Sequence, residues 1–158
     1  MRLLLVRHAE AVDLGGRITR DADRHLTPRG HATAAKLADI LRGKVALDAV
    51  VCSPFIRAKQ TAEPLLALAP AGSTLVECPQ LVPMAQDPEG VAETVAGLGG
   101  RTVAVVGHLP DLGVFASWLI AGGAVEFDRG TAALVVTDAS ANQGSGSLRW
   151  LVSPDWYE

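Results

Sequence analysis

The stretch LLLVRHAE, residues 3–10, joins four consecutive apolar residues to an arginine and a histidine. Such an apolar run favours a strand that is buried on both faces, as in the middle of a parallel sheet. Arg7 and His8 would then stand at the carboxyl end of a central strand. Ligands of open α/β sheets bind beyond the carboxyl ends of the strands, so this stretch predicts a binding site containing both residues.

The rest of the chain alternates between predicted strands and helices. Short apolar runs predict five more strands, at residues 48–52, 74–78, 102–106, 132–137 and 148–152. Helical spacing predicts one helix from Pro28, one from Pro54, one over residues 88–98, and one from after Pro110 to about Ala121. This alternation predicts an α/β fold with three α/β/α layers around a mostly parallel central sheet.

Two of these helices begin with a hydroxyl residue followed by proline. Thr27-Pro28 and Ser53-Pro54 each place a capping side chain before a proline at the first helical position. We expect Ser53 to cap its helix and, because helix N-termini bind anions, to contact a bound anion as well. Pro64 should kink or shorten that helix, because proline cannot donate to the carbonyl four residues back.

The composition limits the classes of protein to consider. A length of 158 residues predicts a single domain over residues 1–158, and the net charge of −3 gives no overall attraction to nucleic acid or to an anionic membrane. The two cysteines are too few for a zinc cluster and are expected to be reduced. No apolar run approaches the ~20 residues of a membrane span, so we expect a soluble, cytoplasmic protein.

Three predicted strand ends bring chemically related residues to one edge of the sheet. His108 follows the strand at residues 102–106, and Arg57 lies in the first turn of the helix after residues 48–52. With Arg7 and His8 they form a set of two arginines and two histidines. Guanidinium groups match phosphate oxygens, and a neutral imidazole is a nucleophile near pH 7, so the set predicts phosphoryl transfer.

Four blocks of this sequence resemble the histidine phosphatase superfamily, which has the phosphoglycerate mutase-like fold. The blocks are LVRHAE (5–10), which resembles the family's RHG signature, LTPRG (26–30), SPFIRAKQT (53–61) and VGH (106–108). They occur in the family's order over about two thirds of the chain. The short length and the third block are most similar to the SixA-type phosphohistidine phosphatases.

The resemblance implies a role for each residue that matches the family's motifs. His8 would be the nucleophile and would form a phosphohistidine that water hydrolyses, with no metal or other cofactor. Arg7 and Arg57 would hold the phosphate oxygens. His108 would donate a hydrogen bond to the transferring group. Arg24 is a candidate for a further substrate-binding arginine that some members use.

Other polar residues near these blocks have less defined roles. Glu10 is a candidate for the layer around the substrate, with a surface charge as the alternative. Asp111 is expected to be a first-turn acid favoured by the helix dipole. His25 either flanks the pocket or is exposed, and His31 is expected on the surface.

Two departures from the family pattern bear on the substrate. Ala9 replaces the motif glycine, and Gln80 occupies the stretch where many members carry a glutamate. Glutamine cannot act as a general acid, so cleavage of an alkyl phosphate ester should be slow. We therefore expect a labile phosphoryl group as substrate, for instance phosphohistidine in a partner protein.

Three alternatives remain open at this stage. The protein could be a phosphatase of small phosphomonoesters, or a phosphate- or phosphoprotein-binding member of the fold without turnover. A zinc module built from the four histidines is disfavoured by their spacing and by the neighbouring arginines. The sequence leaves the oligomeric state undecided.

Overall fold

The computed structural model describes residues 1–157. Its strands are β1 (Arg2–Arg7), β2 (Ala49–Cys52), β3 (Leu75–Glu77), β4 (Thr102–Gly107), β5 (Ala132–Val136) and β6 (Ser147–Val152). Its α-helices are α1 (Pro28–Leu41), α2 (Ile56–Ala62), α3 (Pro88–Gly97) and α4 (Asp111–Ile120). Short 3₁₀ turns cover Asp21–Asp23, Glu63–Leu68, Pro79–Leu81 and Pro154–Trp156.

The strands form one sheet in the order β3-β2-β4-β1-β5-β6. β1 to β4 are mutually parallel, whereas β5 runs antiparallel to β1 and β6 runs antiparallel to β5. The predicted three-layer α/β/α fold with a mostly parallel sheet is confirmed. The carboxyl ends of β1, β2 and β4 consequently meet at one edge of the sheet.

Side chains of the central strands alternate between the two faces of the sheet. In β1, Leu3 and Leu5 pack into one apolar cluster, whereas Leu4 and Val6 pack into the other. Helices α3 and α4 contribute to the first cluster, and α1 and α2 contribute to the second. A strand covered on both faces explains why the run at residues 3–6 is wholly apolar.

Helix α1 begins as the Thr27-Pro28 signal predicts. The Thr27 hydroxyl accepts a hydrogen bond from the N–H of Gly30 at 3.0 Å, and Pro28 is the first helical residue. The cap satisfies one of the N–H groups that a helix start leaves without a partner. This anchors the start of α1 beside the segment that follows β1, because the Thr27 N–H also donates to the carbonyl of Glu10 at 3.0 Å.

The prediction that Ser53 caps the second helix is wrong. Helix α2 begins at Ile56, and its capping residue is Phe55. The backbone of Ser53 still belongs to the sheet, because its N–H donates to the carbonyl of Val106 at 3.0 Å. The expected effect of Pro64 is confirmed, since α2 ends at Ala62 and continues as a 3₁₀ turn.

The longest helix, α1, has 14 residues. Over residues 1–157, no helix combines the length and the apolar character that a membrane crossing requires.

Candidate active site

His8 follows β1 directly and is almost completely buried. Its backbone N–H donates to the carbonyl of Gly107 at 3.0 Å, which continues the pairing of β1 with β4. The ring nitrogen Nδ1 lies 2.7 Å from the carbonyl oxygen of Ala9. Because a carbonyl oxygen can only accept, Nδ1 carries the proton and Nε2 keeps its lone pair. The backbone thus selects the tautomer in which Nε2 has a free lone pair.

The charge state of His8 also suits a nucleophile. Burial lowers its pKa to about 4; the hydrogen bond to Ala9 opposes this shift, and the nearby Arg57 and Arg7 add to it. The imidazole is therefore neutral at pH 7, because desolvation and adjacent cations both disfavour its charged form. Neutral imidazole is the form that can attack phosphorus.

His108 follows β4 and faces His8, with 4.9 Å between the two ring centroids. Its Nε2 lies 2.9 Å from the Ser53 Oγ, and its Nδ1 is buried with no hydrogen-bond partner among residues 1–157. Burial is the main cause that lowers the pKa of His108 to about 2, and the neighbouring His8 and Arg57 add to this shift. A bound anion would shift this pKa upward and favour a ring that donates hydrogen bonds.

Arg57, in the first turn of α2, is 3% exposed. Its Nε–H donates to the Nε2 of His8 at 3.3 Å. Its Nη1 donates to the backbone carbonyl of Asp21 at 2.6 Å and its Nη2 to the carboxylate of the same residue at 2.9 Å. Burial lowers the pKa of Arg57 while Asp21 raises it, and a guanidinium remains charged throughout the physiological range. Asp21 therefore holds the terminal nitrogens of Arg57 while its Nε points to His8.

Arg7, the last residue of β1, is the second cation of the site. Its Nη1 donates to the carbonyl of Phe127 at 2.6 Å, and its Nε is buried without a partner among the described residues. Burial and the nearby Arg129 lower the pKa of Arg7, and Asp128 opposes them. Buried donors without a protein partner are rare, and an N–H of this kind is available to an anionic ligand.

Ser53, predicted to contact phosphate, is fully buried beside His108. Its hydroxyl also accepts a weak hydrogen bond from the N–H of Phe55 at 3.3 Å. These contacts give Ser53 a role in orienting the imidazole of His108. Direct contact of Ser53 with a substrate stays a prediction.

Arg24 and Glu10 lie in the layer around the central side chains. Arg24 donates from Nε to the carbonyl of Val12 at 2.6 Å and from Nη1 to the Asp21 carboxylate at 3.1 Å. Glu10 accepts a hydrogen bond from the Thr27 hydroxyl at 2.7 Å, which ties the segment after β1 to the start of α1. These three contacts are structural, and substrate binding by Arg24 or Glu10 stays a prediction.

Sequence reasoning missed three residues of this site. Thr61 lies one helical turn after Arg57, and its hydroxyl donates to the Arg57 carbonyl at 2.7 Å and accepts from the Ala9 N–H at 3.1 Å. Arg57 and Thr61 are four residues apart, a spacing that places both on one face of a helix, and the sequence alone could have indicated this. Asp21 lies in a short 3₁₀ turn and Arg129 in an irregular segment, neither of which has a periodic signal, so nothing in the sequence placed them near His8.

Asp111 is an acid in the first turn of α4, as predicted, and it also has a structural role that the sequence did not indicate. Its carboxylate is buried and accepts hydrogen bonds from the N–H groups of Met84 and Gln86, both at 2.7 Å. Both of these residues have positive φ, at 67° and 49°, so Asp111 stabilises a strained loop after the third strand. Gln80, just before this loop, accepts a hydrogen bond from the Cys78 thiol at 3.3 Å.

The remaining histidines lie on the surface of the molecule. His31 is exposed on α1, and the exposed His25 approaches the carbonyl of Leu26 with Nδ1 at 3.0 Å. Among residues 1–157, no group of three or more histidine, cysteine or acidic side chains is arranged to hold a metal ion.

Two facing histidines beside the guanidinium groups of Arg7 and Arg57 form a site whose chemistry suits transfer of a phosphoryl group to imidazole. The class is therefore that of phosphatases whose nucleophile is a histidine. The chain belongs to the histidine phosphatase superfamily (branch 1), whose family model matches residues 3–82. The protein is accordingly a hydrolase of this family.

Individual relatives agree with this assignment. The phosphohistidine phosphatase SixA of Escherichia coli K12 is 30% identical over 159 residues, which cover 98% of this chain and 94% of that protein. The structure of SixA complexed with tungstate superposes with a TM-score of 0.87, 29% identity and complete coverage of both chains. The α-ribazole phosphatase of Shigella flexneri has a TM-score of 0.71 at 22% identity, covering 97% of this chain and 96% of that one, and shares the fold.

Proposed function

We propose that this protein is a metal-independent phosphohistidine phosphatase that transfers the phosphoryl group of a partner protein to Nε2 of His8. The observation that carries the proposal is the state of the His8 ring. Its Nδ1–H is held by the Ala9 carbonyl, while the lone pair of Nε2 faces Arg57. A neutral, oriented imidazole beside a fixed cation is what attack on a phosphoryl group requires.

In the first step, Nε2 of His8 forms a bond to phosphorus as the bond from phosphorus to the substrate's leaving group breaks. Before transfer, the Arg57 Nε–H donates to Nε2 of His8 at 3.3 Å. When Nε2 bonds to phosphorus, this N–H would donate to a phosphoryl oxygen instead. In the second step, water attacks the phosphohistidine and the phosphorus–nitrogen bond breaks. Inorganic phosphate leaves, and His8 regains its lone pair.

Arg7, Arg57 and His108 would stabilise the negative charge on the equatorial oxygens during both steps. The arginines contribute fixed positive charge within a buried site, where electrostatic stabilisation is strong. His108 would contribute a hydrogen bond from a ring that Ser53 orients at 2.9 Å. In this proposal, arginine side chains supply the positive charge that a metal ion supplies in other phosphatases.

The carboxylates nearest to the motifs are engaged in other contacts, which favours a substrate with a good leaving group. Glu10 accepts from Thr27, and Asp111 accepts two backbone N–H groups. Burial raises the pKa of Asp21, but the hydrogen bonds from Arg57 and Arg24 outweigh this effect and keep the pKa below its ordinary value. An ionised Asp21 cannot donate a proton, whereas the imidazole of a phosphohistidine leaves without strong acid assistance.

We also propose that the protein acts in the cytoplasm on a phosphorylated protein. The thiols of Cys52 and Cys78 are free and buried. Free cysteines are consistent with a reducing compartment. The similarity to SixA, whose name describes a phosphohistidine phosphatase, supports a substrate of the same kind.

The test is hydrolysis of a phosphohistidine peptide and of p-nitrophenyl phosphate with EDTA present. We expect the wild type to turn over both substrates and to prefer the peptide. His8→Ala should lower kcat by at least ~10³-fold, as removal of a nucleophile does in other covalent hydrolases. His31→Ala is the matched control, because this histidine is exposed on α1, and it should behave as the wild type.

Other results would redirect the assignment. Faster hydrolysis of simple phosphomonoesters than of the peptide would indicate a metabolite phosphatase. Binding of phosphate without turnover of any substrate would indicate a phosphate-binding member of the fold. Activity lost in EDTA and restored by a divalent metal would contradict the metal-independent mechanism.

A further inference from the structure

A groove of about 630 Å³ opens beside Arg7, and we call it the Val114 groove. It lies between the start of α4, the residues just before it, and the segment at residues 124–128 that leads to β5. Its apolar lining includes Leu109, Pro110, Val114, Val125 and Phe127.

The groove shares Arg7 with the candidate phosphate site. Arg7 lines one end of the groove, and its Nη1 is hydrogen-bonded to the Phe127 carbonyl at 2.6 Å. The two walls approach closely elsewhere, because a Cβ placed on Gly113 of α4 would lie 3.3 Å from the carbonyl oxygen of Val125. A ligand that occupies the groove would therefore touch the residues that position Arg7.

The lining combines an apolar floor with an acidic rim. Val114 is an apolar side chain that remains 38% exposed. Glu126 and Asp128 are exposed acidic residues of the same groove. An acidic rim beside an anion site disfavours small ligands with additional negative charge and favours a ligand with a basic group next to its phosphoryl group.

A phosphohistidine on a protein must bring its carrier close to this groove. His8 and His108 are 7% and 2% exposed, so the phosphoryl group has to enter the site to reach Nε2. A histidine side chain reaches only about 4.5 Å from Cα to Nε2, given ordinary bond lengths. The backbone of the substrate protein must then lie against the residues that surround the entrance, and its neighbouring side chains meet the concave surface there.

We propose that the Val114 groove is the docking surface for the protein substrate, an inference that rests on the proposed function. It seats an apolar side chain next to the phosphohistidine, and Glu126 and Asp128 pair with a basic side chain of the same segment. The substrate class is therefore a phosphohistidine segment with apolar and basic neighbours. Small aryl phosphates reach His8 without using the groove.

The test compares two phosphohistidine peptides of equal length and p-nitrophenyl phosphate. One peptide carries leucine and lysine around the phosphohistidine, and the other carries serine and glutamate. We expect the wild type to favour the first peptide by roughly 10-fold in kcat/KM, equivalent to burial of about one apolar side chain. Val114→Asn, which removes the apolar contact without adding a charge, should weaken this preference and leave p-nitrophenyl phosphate hydrolysis unchanged.

Two further variants make the experiment decisive. Leu98→Asn is the matched control, because Leu98 is also 38% exposed but is not part of the groove, and it should retain the preference. Glu126→Lys, on an exposed loop, should weaken selection of the lysine-containing peptide even if Val114→Asn is poorly folded.

The outcomes separate this proposal from the proposed function. Equal wild-type rates on the two peptides, or a preference that survives both groove variants, would overturn the docking role. Equal losses on the peptides and on p-nitrophenyl phosphate would also overturn it, because they would place the groove in the support of the catalytic site. If the wild type hydrolysed neither peptide, the proposed function itself would fail and the docking role with it.

Discussion

Asp21 links the two arginines that sequence reasoning treated separately. One carboxylate oxygen accepts from Arg57 at 2.9 Å and the other from Arg24 at 3.1 Å. Arg57 is nearly fully buried, whereas its partner carboxylate is half-exposed. The guanidinium of Arg57 is therefore fixed from its outer side, and the contact between its Nε and His8 is set by a residue in a distant loop.

This geometry predicts unequal effects of substituting the two arginines. Arg57→Lys removes the planar donors that contact His8 and Asp21 together, and we expect kcat/KM for p-nitrophenyl phosphate to fall by ~10² or more. Arg24→Lys alters only the contacts of Arg24 with Val12 and Asp21, so kcat/KM should fall by less than about 10-fold. Steady-state kinetics of both variants would check this. Equal losses would show that Arg24 contacts the substrate, as predicted from the sequence.

Thr61 provides a second prediction at the scale of one side chain. Thr61→Val keeps the shape but leaves the buried N–H of Ala9 without its acceptor at 3.1 Å. We expect the free energy of unfolding to fall by about 1–3 kcal/mol, the usual cost of an unpaired buried polar group. Urea denaturation measures the loss, and Thr61→Ser should restore most of it. If serine were as destabilising as valine, the hydrogen bond would not be the cause.

Among the secondary-structure elements, the start of α1 depends on close contact with the segment that follows β1. A Cβ on Gly30 would lie only 2.0 Å from the carbonyl oxygen of Glu10. That oxygen already accepts the N–H of Thr27, the capping residue of the helix. Only glycine permits the helix to lie this near to the backbone adjoining His8.

We therefore expect Gly30→Ala to destabilise the protein, by about 1–3 kcal/mol if the backbone can shift to relieve the clash. Gly97→Ala is the control, because this helical glycine has no atoms near its added Cβ. Alanine there should leave the free energy of unfolding unchanged or raise it by up to ~1 kcal/mol. Thermal or urea unfolding of both variants gives the comparison. Similar values for the two would contradict the packing explanation.

For the molecule as a whole, the candidate site holds two buried imidazoles in their neutral form. Their pKa values lie at about 4 for His8 and about 2 for His108, below the ordinary value of 6.5, chiefly because of burial. In the unfolded chain both imidazoles would bind protons as the pH falls below 6.5. The unfolded state then binds more protons than the folded state, so acid favours unfolding.

The free energy of unfolding should consequently decrease as the pH is lowered from 7 to 5. Each of the two histidines contributes a slope of up to ~1.4 kcal/mol per pH unit below the ordinary pKa. Urea denaturation at several pH values would measure the slope for the wild type and for His108→Gln, which should be shallower. His31→Gln, on the exposed face of α1, should keep the wild-type slope. Identical slopes in all three proteins would contradict this account.

Local sequence patterns were sufficient to predict most of the strands and helices and to bring the central residues of the candidate site together. The wholly apolar run at residues 3–6 specifies a strand covered on both faces, and Thr27-Pro28 specifies a helix start, because each depends on near neighbours in the chain. Strand ends then placed His8, Arg57 and His108 together, since parallel strands expose their carboxyl ends at one edge.

Contacts between distant segments came from the packed structure alone. The hydroxyl of Ser53 orients His108, Asp21 fixes Arg57, and Asp111 supports the loop that contains Met84. Each of these hydrogen bonds joins residues that are far apart in the chain. The separation is 27 positions for Asp111 and Met84, 36 for Asp21 and Arg57, and 55 for Ser53 and His108. Propensity and periodicity describe neighbours within a few residues, whereas these hydrogen bonds form only once the sheet and helices bring their partners within about 3 Å.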